Sequence, residues 1–305
     1  MLAAWLSKDL TVPQMQHMAE IVSEHYRKRG YMVASAYVGA QTIADNTLTI
    51  TVVEGRFGDI QMRSNTSVVS DARILRTFSE NLCGRADGCE GLGPIRAGQL
   101  ERAGLLVAEV PGVKATYELA PGEAPGTTSL QIDAAGGRRI SGQVGADNSG
   151  LAAIGRQRVS PAISLANLLG LGDVLTLSGA YSGNGYWTFA LDASAPVGYG
   201  GTRAGLTAAQ TRYVLGREFA DLGATGASDT AGLYMSHPLR RRANGSADLR
   251  LDVVGKRMST DFKQLDFKGR LRAAEAMLSL SARQADTLFR AGSTNLQFTV
   301  RRQMF

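Results

Sequence analysis

The side chains best suited to chemistry are few and scattered in this chain. Cys83 and Cys89 stand close together in the glycine-rich segment CGRADGC, whereas the three histidines, His17, His25 and His237, are isolated. A structural zinc site needs four convergent ligands, and a serine–histidine centre needs a histidine beside its nucleophile. The sequence also has no Gly-x-Ser-x-Gly elbow, Walker loop or His-Glu-x-x-His helix. We therefore expect no enzyme, no metal site and no cofactor.

The two cysteines leave two interpretations open. Two cysteines separated by a short loop can form a local disulfide, which is typical of an oxidising compartment. The alternative is a pair of free thiols. A disulfide across so short a loop would add a few kcal/mol of stability at most.

Charge divides the chain into two parts near residue 134. Residues 1–134 hold 12 basic and 15 acidic side chains, a balance of −3, whereas residues 135–305 hold 21 and 12, a balance of +9. Such an asymmetry is one mark of nucleic-acid binding. However, the basic residues are spread at strand spacing and do not cluster on a helix or an arm, so we expect no nucleic-acid partner.

Residues 1–55 predict a small mixed domain. A helix is predicted over residues 11–29, because apolar residues recur there at helical spacing, and Thr11, Pro13 and Gly30 suit its ends. The apolar positions are Val12, Met15, Met18, Ala19, Val22 and Tyr26. The segments YMVASAYV and TLTITVV then predict two strands around a turn at Asp45-Asn46.

Residues 56–134 predict a second mixed domain with two helices on one face of a three-stranded sheet. We predict strands at Arg56–Arg63, Val113–Leu119 and Thr128–Ile132. The predicted helices cover Ser70–Ser79 and Arg96–Val110. Their order along the chain is β-α-α-β-β.

Residues 135–305 predict an all-β domain. About nine segments alternate between apolar and polar residues, each near the ~10 residues of a membrane-spanning β-strand. Glycine, at 36 of 305 residues, is about 12% of the chain, well above the usual ~7%, and suits the turns between such strands. Connections are expected to alternate between short turns and longer loops, the longer ones near residues 211–225 and 257–269.

Alternation alone also fits a soluble β-sandwich, which stays an alternative. The polar positions favour a membrane barrel, because they include arginines and aspartates in the middle of strands. Such charges suit a wet lumen better than a protein core.

The order of motifs resembles the two-partner secretion transporters, the haemolysin activation/secretion proteins of the POTRA-barrel superfamily. The carrying run is SAYVGAQTIADNTLTITVVEGRFGDI, after a helix that ends in Arg29-Gly30-Tyr31. It matches a family run at Tyr37, Gln41, Leu48, Ile50, Val52, Glu54, Gly55 and Ile60. Further similar segments are ERAGLLVAEVPGVKATYELAPGEAPGTTSL, GADNSGLAAIGRQR, LANLLGLGDVLTLS and APVGYGGTRAGL.

The resemblance implies α+β periplasmic POTRA domains followed by a 16-stranded transmembrane antiparallel β-barrel in the bacterial outer membrane. Such a protein exports one large partner exoprotein, of haemolysin or adhesin type, by two-partner (type V) secretion without ATP. Implied partners are the exoprotein, outer-membrane lipid, the barrel assembly machinery and periplasmic chaperones. On this pattern residues 1–55 are the first POTRA domain, 56–134 the second, and 135–305 the N-terminal part of the barrel.

The resemblance also suggests where a substrate binds. POTRA sheet edges and helix–strand grooves are thought to catch an extended chain by strand addition. On this chain those positions are Leu100, Leu105, Leu106, Val113, Ala115, Tyr117 and Leu119. Glu54 and Gly55 are expected at the joint between the POTRA domains. A lumen lined by Arg138, Arg158, Asp192, Arg250, Asp252 and Arg301 is the remaining hypothesis, with ordinary solvated strand faces as its alternative.

Three departures from the family pattern shape the expectation. The first POTRA domain lacks its leading strand, about nine of 16 barrel strands are present, and the family's V-R-G-Y loop motif is absent. We therefore expect a partial barrel and an N-terminally truncated first POTRA domain, in a chain that is a fragment. The alternative is a soluble POTRA-type binding module, or an inactive gene fragment without a closed pore.

Overall fold

The computed structural model describes residues 2–6, 8–43, 46–84, 89, 93–183, 185–286 and 292–304. Contacts between residues divide the chain into two units. The first unit comprises Met1–Asn65, Asp71–Val107 and Ala115–Ala135. The second unit comprises Thr66–Ser70, Ala108–Lys114 and Gly136–Phe305.

The first long element is helix α1, Val12–Lys28. It begins at a capping box, in which the Thr11 backbone N–H donates to Gln14 Oε1 at 2.8 Å, and Pro13 occupies its first turn. Its buried face holds Met18, Ala19 and Val22. The helix ends before Gly30, which has a φ of 92°. The predicted helix thus has the observed limits to within one residue.

The next two strands are shorter than the sequence predicts. β1 is Ser35–Tyr37 and β2 is Thr51–Val53, paired antiparallel. Beyond them the Gln41 side chain replaces ladder pairing, because its amide donates to Thr49 O at 2.9 Å and accepts from Thr49 N–H at 2.8 Å. Of the predicted turn, Asn46 has a φ of 50°, whereas Asp45 lies outside the described residues.

Two helices and three strands follow, and most of their residues belong to the first unit. They are β3 (Arg56–Asn65), α2 (Asp71–Cys83), α3 (Ala97–Ala108), β4 (Val113–Pro121) and β5 (Thr127–Gly136). The sheet order is β3-β5-β4, with β3 and β5 parallel. Phe78, Ile95, Leu130 and Ile132 are the largest side chains of its fully buried core. Cys83 and Cys89 form a disulfide with Cα atoms 5.5 Å apart, and residues 85–88 between them lie outside the described residues.

The second unit contains one antiparallel sheet of nine strands, each paired with its neighbours in the sequence. The strands are β6 (Ile140–Asp147), β7 (Arg158–Ala166), β8 (Val174–Ser182), β9 (Tyr186–Pro196), β10 (Arg203–Val214), β11 (Ala224–Arg242), β12 (Gly245–Phe262), β13 (Phe267–Asp286) and β14 (Gly292–Met304). This meander confirms the predicted fold class, a POTRA region followed by a partial antiparallel barrel sheet.

One prediction about the loops is wrong. A long connection is predicted near residues 257–269, but β12 runs to Phe262 and β13 begins at Phe267. Polar residues in this region form the ends of strands of 18 and 20 residues. Since a strand needs only about 9–11 residues to cross a bilayer, strands this long extend beyond it. Polarity there marks exposure to water and not the end of the strand.

Within the described part of the chain, no helix combines the length and apolarity needed to cross a membrane.

Candidate functional site

The first candidate site is the free edge of the three-stranded sheet. Among the described strands, β4 pairs only with β5, so its other side presents unpaired backbone groups. Alternation along β4 places Ala115, Tyr117 and Leu119 on one face, whereas Thr116 and Glu118 lie on the other and are exposed.

Tyr117 fills the groove between β4 and α3. Its ring lies against Gly104, where an added Cβ atom would stand only 2.4 Å from Tyr117 Cε1. The ring also meets Phe78 edge-to-face, with centroids 5.5 Å apart. Partial burial, and then the charge of Glu101, raise the pKa of the Tyr117 hydroxyl, although the side chain remains 39% exposed. The groove is therefore closed by one amphipathic side chain.

The structure corrects part of the predicted binding surface. Leu100, Leu106 and Val113 are only 3%, 5% and 6% exposed, so they are core residues that an incoming chain cannot touch. Helical periodicity identifies the face of α3 that packs into the core. A groove wall would have to be formed by the other, accessible face. Of the predicted set, Leu105, Ala115, Tyr117 and Leu119 keep partly or fully accessible side chains.

Glu54 and Gly55 lie between β2 and β3, inside the first unit. Gly55 is buried and has a φ of 70°, and an added Cβ atom would stand 2.3 Å from Val33 Cγ2. Its carbonyl accepts a hydrogen bond from Ile95 N–H at 3.3 Å. Glu54 is exposed. Glycine is thus required at this corner by both conformation and space.

The opposite face of the same sheet carries an ion-pair network. Arg63 on β3 binds Asp133 on β5 through Nε at 2.9 Å and also contacts Glu118 on β4. Hydrogen bonds from Arg63 and then from Ser64 lower the pKa of Asp133. The network ties all three strands together, which leaves the edge of β4 supported from behind.

The nine-stranded sheet has two chemically different faces. Strand register places exposed apolar residues on one face, which we call the apolar face: Val144, Ile163, Phe189, Leu206, Leu233, Leu251, Leu278 and Val300. Alternate residues form the polar face. A sheet with one apolar and one polar side is typical of a barrel wall between lipid and water.

The polar face brings together five of the six predicted lumen residues. Arg158, Asp192, Arg250, Asp252 and Arg301 share it through the register of β7, β9, β12 and β14. Arg138 lies between β5 and β6 and is exposed. β6 begins at Ile140, so no strand register assigns Arg138 to a face, and its place in the lumen stays a prediction.

A hydrogen-bonded network joins β9, β11 and β12 across the polar face. The Tyr234 hydroxyl donates to Asp192 Oδ1 at 3.0 Å. The Arg250 guanidinium lies 3.8 Å from the centre of the Tyr234 ring and donates from Nη2 to Asp252 Oδ1 at 2.8 Å. Asp252 is only 7% exposed, so it depends on Arg250 for its charge balance.

Sequence reasoning missed a second network on this face, centred on Glu275 of β13. Glu275 is 6% exposed, accepts from Lys256 Nζ at 2.9 Å and pairs with Arg301 Nε at 2.5 Å. A lone glutamate between alanines, in phase with other polar positions, was the available signal. The polar face is accordingly a mosaic of paired charges and not a purely cationic surface.

No group of three or more His, Cys, Asp or Glu side chains within the described ranges is arranged to hold a metal ion.

The family described as "Haemolysin secretion/activation protein ShlB/FhaC/HecB" matches residues 126–303. The family described as "POTRA domain, ShlB-type" matches residues 1–55. Together they cover parts of both units.

Several individual proteins are also similar to this chain. The chain is 31% identical over 241 residues to the heme/hemopexin transporter protein HuxB of Haemophilus influenzae, covering 79% of this chain and 41% of the relative. It is 26% identical to the outer membrane transporter CdiB of Dickeya dadantii, covering 83% and 43%. In fold it is similar to CdiB from Escherichia coli, with a TM-score of 0.73 and 23% identity over 99% of this chain and 55% of that one. The chain therefore spans less than half the length of the curated relatives it matches.

Proposed function

Because the chain belongs to the haemolysin secretion/activation protein family ShlB/FhaC/HecB, we propose that its protein exports a large partner exoprotein across the outer membrane by two-partner secretion. Members of this family are outer-membrane transporters whose POTRA domains lie in the periplasm. The proposed cargo is a protein of haemolysin or adhesin type, and transport needs no ATP.

The observation that carries this proposal is the free edge of β4 beside a groove closed by Tyr117. An extended segment of the cargo would add to β4 as a further strand, with main-chain hydrogen bonds giving affinity. Alternate cargo side chains would then meet Leu105, Ala115 and Leu119. Tyr117 would contribute an aromatic anchor of the kind that dominates binding energy at interfaces.

The polar face supports the second half of the proposal. An unfolded cargo chain in transit needs a wet surface that does not bind its apolar side chains. Paired charges such as Arg250–Asp252 and Lys256–Glu275 offer hydration without a strong field of one sign. We propose that this face lines the export path.

Site-specific photo-crosslinking tests cargo binding at β4. A benzoylphenylalanine at Thr116, exposed on β4, is expected to crosslink to a co-expressed partner exoprotein arrested during export. The matched control is Gln61, exposed on the opposite edge strand β3. Equal crosslinking from both positions, or none from Thr116 while export proceeds, would contradict strand addition at β4.

Further partners follow from the same proposal. We infer contact with outer-membrane lipid along the apolar face, delivery by periplasmic chaperones, and insertion by the barrel assembly machinery. Depletion of that machinery is expected to reduce the folded, heat-modifiable form of the protein in isolated membranes.

A further inference from the structure

The apolar face ends in a patch of arginines on β12 and β13. Register sets Arg257 directly opposite Arg272, and Ser259 opposite Arg270. All three arginines are exposed. They share the phase of Leu251 on β12 and Leu278 on β13, so they belong to the apolar face and not to the polar one.

The nearby carboxylates are already engaged. Asp229, opposite Arg257 on β11, accepts from Arg212 Nη1 at 2.8 Å and from Gln210 Nε2 at 3.0 Å. Asp261 lies 4.0 Å from Lys268 Nζ. Arg257 interacts with Asp229 through charge alone, and within the described residues none of Arg257, Arg270 and Arg272 has a hydrogen bond or a close ion pair to a carboxylate.

The opposed arginines repel each other, and a bound anion would relieve this repulsion. Like charges directly opposite each other on neighbouring strands destabilise a sheet. The strand register places Arg257 directly opposite Arg272, and Arg270 lies two residues from Arg272 on the same face, so one multivalent anion can reach all three side chains. Planar guanidinium groups match phosphate oxygens in a bidentate manner.

The position of the arginines along β12 indicates at which depth of the membrane the anion would bind. On β12 the apolar face is free of charged residues from Ala247 to Gly255. Eight residue rises of ~3.4 Å give about 27 Å along the strand, or about 21 Å at a tilt of ~40°, close to the ~25 Å apolar band of outer-membrane barrels. Arg257 is the next residue of this face, directly beyond that band.

Strand direction gives the side of the membrane. β6 follows the periplasmic POTRA region, so it runs outward, and each later strand of the meander reverses direction. The C-terminal end of β12 and the N-terminal end of β13 therefore lie at the outer surface. The patch stands at the head-group level of the outer leaflet.

A shallow groove of small residues runs directly below the arginines. Ala231, Gly255 and Ala274 are aligned across β11, β12 and β13. They line one groove with Asp229, Arg257, Arg272 and Met304. A Cβ atom added at Gly255 would meet nothing closer than Ala231 O at 3.8 Å, so the groove has room at its centre. The rim thus holds two arginines and the Asp229 carboxylate, which Arg212 already binds, and the floor is apolar.

We propose that Arg257, Arg270 and Arg272 bind the phosphate groups of a phosphorylated outer-leaflet glycolipid of the lipid A class. One acyl chain of that lipid lies in the groove over Gly255. This site faces lipid and is separate from the β4 edge and the polar face, so it does not depend on the proposed export function.

Titration of the purified full chain in detergent with fluorescent lipid A tests the site. The variant Arg257→Gln/Arg272→Gln is expected to bind lipid A at least about tenfold more weakly, because two charge-assisted contacts to phosphate are lost. The matched control is Arg283→Gln, which removes an exposed arginine near the opposite end of β13. Affinity within about twofold of wild type is expected for it. Loss of repulsion should leave the double variant at least as heat-stable as wild type without lipid.

Two further arms identify the source of the phosphate. Gly255→Leu fills the groove and is expected to weaken lipid A binding without affecting binding of inorganic phosphate. Equal affinity of wild type and Arg257→Gln/Arg272→Gln would overturn the proposal, as would equal losses in Arg283→Gln. Competition by inorganic phosphate at lipid-like concentrations, with Gly255→Leu unchanged, would overturn the assignment to a lipid.

Discussion

A single missing Cβ atom controls the groove beside β4. At Gly104 on α3 an alanine would place its Cβ atom 2.4 Å from Tyr117 Cε1. Helix propensity favours alanine by about 1 kcal/mol, whereas overpacking costs about 1–3 kcal/mol. The difference is a loss of up to about 2 kcal/mol in the free energy of unfolding of Gly104→Ala, measured by urea denaturation followed by circular dichroism. In a Tyr117→Ala background the same change should be neutral or stabilising, and a loss of equal size there would contradict the steric explanation.

Asp133 gives the first unit a defined response to acid. Hydrogen bonds from Arg63 and then Ser64 lower its pKa in the folded state, below the ~3.9 expected for an unfolded chain. A lowered folded pKa means that the stabilisation is complete above the unfolded pKa and is lost as the pH falls through the folded value. Asp133→Asn should therefore reduce the thermal unfolding temperature at pH 7, with a difference from wild type that shrinks below about pH 4. A difference that stays constant down to pH 2 would contradict this linkage.

At the scale of elements, β10 and β11 are held in register by two reciprocal tyrosine–glycine pairs. Tyr234 of β11 lies over Gly205 of β10, where an added Cβ atom would stand 2.3 Å from the ring. Tyr213 of β10 lies over Gly226 of β11, with a corresponding distance of 2.1 Å. Because a slip of one residue would separate both pairs and exchange the two faces of the sheet, they specify the pairing.

Gly205→Val is therefore expected to remove most of the folded protein. Its side chain would displace Tyr234, which also anchors Asp192 and Arg250. The fraction of protein that changes mobility on heating in a detergent gel measures folding. Gly145→Val on the same face is the matched control, because its added Cβ atom meets nothing closer than Ser160 O at 3.8 Å. Equal folded fractions for the two variants would show that the ring–glycine contact does not specify register.

Local signals predict elements better than they predict contacts. The periodicity of α1 and the alternation of β9, β12 and β14 are properties of neighbouring residues, so these elements are predicted well. The short β1 and β2 depend on the Gln41 side chain reaching Thr49, a choice that no propensity encodes. The same limit applies to the site. Leu100 and Leu106 have the spacing of an apolar stripe, but this spacing does not distinguish a stripe that lines an open groove from one that packs into a core.

The sequence alone does not predict strand register, that is, which residues of neighbouring strands lie opposite each other on the polar and apolar faces. Alternation places Asp252 and Arg250 on one face, as predicted. Pairing of Glu275 with Lys256, and the direct opposition of Arg257 and Arg272, exist only once β12 and β13 are aligned. The excess of basic residues after residue 134 is visible in the composition, but its division between paired charges on the polar face and opposed arginines on the apolar face is not.

At the scale of the whole molecule, carboxylates on the two faces of the nine-stranded sheet neutralise different cations, so we expect them to affect ion selectivity differently. Asp252 and Glu275 neutralise Arg250, Lys256 and Arg301 on the polar face. Asp229 neutralises Arg212 on the apolar face, which in our proposal faces lipid. Charged side chains that line a pore set its preference for anions or cations.

On the proposed function the polar face lines the pore, and we expect Asp252→Asn/Glu275→Gln to shift that pore toward anion selectivity, because Arg250, Lys256 and Arg301 then lack their carboxylate partners. The reversal potential in a planar bilayer under a KCl gradient measures the shift. Asp229→Asn removes a carboxylate from the outward-facing side of β11 and is the matched control, expected to leave the reversal potential within a few millivolts of wild type. Since each substitution removes negative charge from the same sheet, equal shifts in both proteins would mean that the field of the whole wall, and not the facing of its side chains, sets selectivity. A shift confined to Asp252→Asn/Glu275→Gln would identify the polar face as the wall of the conducting path.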